Sequence, residues 1–82
     1  MKVLITLNMP SRSGNSVHQV SADVEQENIR DFCDYLSEYD FIVVNEIYRS
    51  SNGKLFPRGD IILNTEWIGK VKEFDDDIDK SS

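Results

Sequence analysis

Val3, Ile5, Leu7 and Met9 alternate with Lys2, Thr6 and Asn8, the period-two signature of a strand with one buried face. Pro10 cannot donate to a ladder, so the strand is expected to stop there. Ser11 to Ser16 has the composition of a loop. His18, Val20, Ala22 and Val24 then share one face of a second strand, which returns antiparallel to the first. The period changes after it. Ile29, Phe32, Cys33 and Leu36 fall at i, i+3, i+4 and i+7, which predicts a helix from about Glu25 to Tyr39 with one apolar stripe. Asp23 is the expected cap, and Glu25 and Glu27 suit the positive end of the helix dipole.

The run from Phe41 to Phe74 reads as three more strands. Phe41, Ile42, Val43 and Val44 open a β-branched segment that continues to Ile47 and Tyr48. Ser50, Ser51, Asn52 and Gly53 form its turn, with Asn-Gly suited to the positive φ values of a two-residue hairpin. Leu55 and Phe56 begin the next strand, Pro57 interrupts it, and Arg58-Gly59 predicts a bulge before Asp60 to Leu63. Asn64 to Trp67 reads as one tight turn with Asn64 as an Asx cap. Ile68 to Phe74 completes the set. The expected fold is α+β: a β-hairpin, one helix and a three-strand meander, with the helix packed on one face of an antiparallel sheet. Residues 1–74 form a single domain in this reading, and 75–82 form a disordered acidic tail.

Composition narrows the function classes. Eighty-two residues with 39% hydrophobic and 10% aromatic content suffice for one modest core. One cysteine and one histidine exclude an internal disulfide and a zinc-type cluster. The segment Met1–Asn8 is too short and polar for a signal peptide, and no run approaches membrane-spanning length. The expectation is therefore a soluble, cytoplasmic chain without cofactor, metal or membrane contact. The net charge of −6 is segregated. Seven acids between Asp23 and Asp40 face only Arg30, whereas Arg49, Lys54, Arg58, Lys70 and Lys72 make the 41–72 segment mildly basic. Such asymmetry steers association without setting the fold.

No side-chain constellation in the sequence carries catalysis, so the chain is read as a non-enzyme. His18 has no nucleophile or carboxylate placed by spacing, and a structural or sheet-rim role is expected. Cys33 is expected to be buried on the helix stripe and inert. Three binding readings are open. The first starts from the strand at 41–48, where Ile42, Val44 and Tyr48 lie opposite Phe41, Val43 and Ile47. One helix covers only one of these apolar faces, so Ile42, Val44, Tyr48 and Trp67 are expected to contact a partner, in a homodimer or with a foreign macromolecule. The second is a nucleic-acid regulator using Arg49, Lys54, Arg58 and Lys70, with Tyr48 and Phe56 to stack bases. The third is a small anionic-ligand site in the 11–18 loop around Arg12, Ser13 and His18.

Gly14-Asn15-Ser16-Val17-His18-Gln19, Arg58 to Thr65 and Ile68-Gly69-Lys70-Val71 together resemble small proteins encoded by tailed phages, including those of marine cyanobacteria. The similarity covers most of the chain up to Phe74 and brings no assigned activity. It implies a small acidic protein that binds and redirects a host protein or other host component, in the host cell cytoplasm.

Overall fold

A computed structural model describes residues 1–74; the expected acidic tail at 75–82 lies outside the described residues. The elements are β1 (Lys2–Ser11), β2 (Gly14–Asp23), α1 (Ile29–Glu38), β3 (Phe41–Arg49), β4 (Leu55–Asn64), a one-turn 3-10 helix (Thr65–Trp67) and β5 (Ile68–Glu73). The fold is α+β, with one helix and an antiparallel five-stranded sheet. Its strand order is β4-β3-β2-β1-β5.

That order corrects the expected meander. β5 does not pair with β4; it crosses to the far edge and pairs antiparallel with β1, with Ile5 opposite Val71 and Val3 opposite Glu73. The connection is only the 3-10 turn. Four peptide units from Asn64 to Ile68 reach at most about 15 Å, whereas the edges of a flat five-stranded sheet lie about 19 Å apart. The sheet must therefore curl. Two features allow this. β2 and β3 pair only at Ala22–Glu46 and Asp23–Asn45, which lets the two hairpins splay. The 3-10 turn is anchored by the Asn64 side chain, which accepts from the Glu66 amide at 3.0 Å. Thr65 ties it back to the start of β3, its amide donating to the Asp40 carbonyl at 2.9 Å.

The concave side holds the core. Val3, Ile5 and Leu7 from β1 meet Ala22, Val24, Ile42, Val44 and Leu63, and Phe32 of α1 packs against them. Every buried residue among those described is apolar. The helix covers this one face.

Three local expectations also change. α1 begins at Ile29, and its cap is Asn28, whose side chain accepts from the Asp31 amide at 2.8 Å. Asp23 instead ends β2, so the helix is shorter than the expected span from about Glu25 to Tyr39. Asn28→Ala is expected to cost about 1 kcal/mol, read as a lower urea midpoint with an unchanged slope. β1 runs past Pro10 to Ser11. β5 stops pairing at Leu7, so this part of β1 is open on that side, where a missing amide is tolerated. In the β3–β4 connection, the Gly53 amide donates to the Ser50 carbonyl and the Ser50 amide to the Lys54 carbonyl. Only Gly53 is left-handed, at φ +87°. The turn is thus a three-residue loop closed by Gly53, and Asn52 keeps a negative φ and accepts from Ser50 and Lys54.

The bulge expected at Arg58-Gly59 is present. Glu46 opposes Gly59 and Ile47 opposes Pro57, which leaves Arg58 as the extra residue. Gly59 has φ +119°, a conformation that a side chain disfavours.

Candidate functional site

The outer face of β3 and β4 carries the most prominent apolar surface. Val43 and Ile62 are cross-strand partners, 55% and 70% exposed, and Phe41 beside them is 62% exposed. Polar Asn45, Asp60 and Asn64 border the patch on the same two strands. Single exposed apolar residues are ordinary, but a contiguous group on an uncovered sheet face is a candidate contact surface.

The expected doubly apolar strand is therefore real, but the assignment of its faces is corrected. Ile42 and Val44 are 1% and 3% exposed and lie in the core, so they are not available to a partner. Ile47 joins them despite its odd position. Val44 and Ile47 are both buried because the irregularity next to Glu46 shifts the alternation. Tyr48 then faces outward with Phe41 and Val43. The missed signal lies in β4, where Asp60 and Asn64 flank Ile62 at period two and mark that side as the wet one. Trp67 sits in the 3-10 turn and is about one-third exposed.

The residues of the other two readings separate in space. Arg49 ends β3, Lys54 lies in the following loop and Arg58 occupies the bulge. Tyr48 and Phe56 stack with centroids 5.6 Å apart, and the Arg58 guanidinium lies 5.4 Å from the Tyr48 centroid. This end is a cation–aromatic cluster in which the Tyr48 ring already meets both Phe56 and Arg58. Lys70 belongs to β5, at the opposite edge of the sheet order. Arg12 and Ser13 are the two apex residues of a tight β1–β2 turn, closed by pairing of Ser11 with Gly14. The Ser11 hydroxyl donates to the Gly14 carbonyl at 2.7 Å. The expected long loop is thus mostly strand, and it forms no cradle around an anion. His18 lies opposite Leu7 and is exposed.

Cys33 also departs from expectation, being exposed. The helix seats itself through Phe32, with Tyr35 and Leu36 half-buried, and this rotation turns Cys33 toward a shallow groove beside β5. Native protein is expected to consume one equivalent of a thiol-specific reagent at a rate close to that in denaturant. A rate suppressed a hundredfold or more would return the thiol to the core.

Among the described residues, no group of three or more His, Cys, Asp or Glu is arranged to hold a metal ion. No described helix is long and apolar enough to cross a membrane. No protein-family model, curated protein or solved structure matches the chain.

Proposed function

We propose that this chain is a non-catalytic interaction protein that self-associates through the outer face of β3 and β4 and engages a macromolecular partner as a dimer. The observation that carries the reading is the exposed Val43–Ile62 pair with Phe41 beside it, on the side of the sheet that α1 leaves open. Fully covering an aliphatic or aromatic side chain contributes roughly 1.5–3 kcal/mol. Three such residues from each of two copies, 55–70% exposed in the single chain, are the driving force in this reading and work against the cost of association. The resemblance to tailed-phage proteins makes a host macromolecule, in the host cytoplasm, the partner in this proposal. The test is the solution mass of the chain beside a variant with Lys at positions 43 and 62.

A second reading has its own supporting observation. The Tyr48, Phe56 and Arg58 cluster, next to Lys54, has the ingredients of a single-stranded nucleic-acid contact. The net charge of −6 works against it, because phosphate binding is dominated by electrostatics.

A further inference from the structure

β5 is an edge of the sheet, and among the described residues no strand pairs with its outer side. Beside it lies a groove of about 480 Å3 between β5 and α1. Ile29, Phe32, Cys33 and Leu36 line one wall, and Ile68 to Val71 line the other. Successive side chains of a strand point to opposite faces. Ile68 and Val71 both pack toward the core, whereas Lys70, opposite Thr6, belongs to the other face and still borders the groove, so the backbone edge of β5 adjoins it.

Gly69 limits where a new strand can pair. Its φ is not in the left-handed region, and a Cβ built there would meet nothing closer than the Thr6 carbonyl oxygen at 3.9 Å. Gly69 is the extra residue where the pairing with β1 shifts, between Lys70 opposite Thr6 and Ile68 opposite Leu7. The edge offered to a new strand is therefore the regular stretch from Lys70 to Lys72, past this bulge.

The pairing of β5 with β1 sets what a sixth strand would present. Val71 lies opposite Ile5 and faces the core side, whereas Lys70 and Lys72 lie opposite Thr6 and Leu4 and face outward. Both lysines are exposed. A residue placed across from Val71 would enter the groove beneath Ile29, Cys33 and Leu36. Its two neighbours would stand beside Lys70 and Lys72, where opposite charge across strands is favourable. Arg30 adds a further cation at the groove wall.

We propose that the α1–β5 groove takes an extended segment of a partner protein as a sixth strand, with the pattern acid–apolar–acid. The apolar side chain fills the groove and the two carboxylates pair with Lys70 and Lys72. Main-chain bonds to the edge supply affinity and the alternating pockets supply specificity. This surface is separate from the outer face of β3 and β4, so either assignment can fail alone.

The probe is a capped heptapeptide alternating Glu and Val, titrated into the full chain labelled with 15N. The expected result is shifts and slowed hydrogen exchange at the amides of Lys70, Val71 and Lys72, with several-fold slower alkylation of Cys33. Lys70→Glu/Lys72→Glu should weaken binding at least tenfold, and a peptide alternating Lys and Val should bind at least tenfold less tightly. Unmoved β5 amides at millimolar peptide, shifts confined to the β4 edge, or affinity indifferent to the charge swap would each overturn the proposal. Should the double variant fail to fold, the amide map of the unsubstituted chain with the two peptides decides.

Discussion

Replacing Phe32 by alanine is expected to remove most of the stability of this chain. Phe32 is the only residue of α1 that is fully buried, and it packs against a core drawn from β1 to β4. Truncating a buried Phe to Ala costs about 3–5 kcal/mol, through lost burial and the cavity left behind. A domain of this size holds roughly 4–12 kcal/mol in total. Thermal unfolding followed by circular dichroism should therefore show a midpoint lower by on the order of 15–30 °C. The helix has no second anchor of comparable depth, since Ile29 is 41% exposed and Leu36 only half-buried. A loss below about 1 kcal/mol would mean that α1 is not held on the sheet through this side chain.

The second large effect separates adjacent residues of one strand. Val44→Lys places an ammonium where the native side chain is 3% exposed, with no buried acid among the described residues to receive it. An uncompensated buried charge costs about 3–5 kcal/mol, so this variant is expected to be largely unfolded. Val43→Lys, one position away, should change the stability of the single chain, measured at concentrations too low for association, by no more than about 0.5 kcal/mol, as surface substitutions usually do. Combined with Ile62→Lys, it should abolish self-association. Lysine is the informative choice. It lowers the magnitude of the chain's negative charge and so weakens overall repulsion between copies, and lost association then reports a change at this face, not a higher net charge. Equal destabilisation by Val43→Lys and Val44→Lys in urea titrations would contradict the assignment of faces.

Local structure was largely legible in the sequence, because its determinants are local. The alternation of Val3, Ile5 and Leu7 marks β1, the Arg58-Gly59 bulge follows from Pro57 and glycine, and the Asn64 cap from its Asx chemistry. What escaped depends on contacts between distant residues. β5 pairs with β1 because the sheet curls, and that curl follows from how little of β2 pairs with β3. No periodicity encodes it. The same non-local register decides which face of β3 meets α1, and this is why Ile42 and Val44 changed places with Phe41 and Val43. Asp60 and Asn64 around Ile62 did hold that information, one strand away. The groove beside β5 was out of reach, since it exists only because β5 is an edge and Cys33 and Leu36 turn toward it.

Light scattering of the full chain, over a range of protein and salt concentrations, reads directly whether the outer face of β3 and β4 joins two copies. A mass near twice 9.4 kDa is expected for the unsubstituted protein, firmer at high salt as like charges are screened. The folded Val43→Lys/Ile62→Lys variant is expected at the single-chain mass. A single-chain mass for both proteins, up to millimolar concentration and at every salt level, would contradict the proposed dimer.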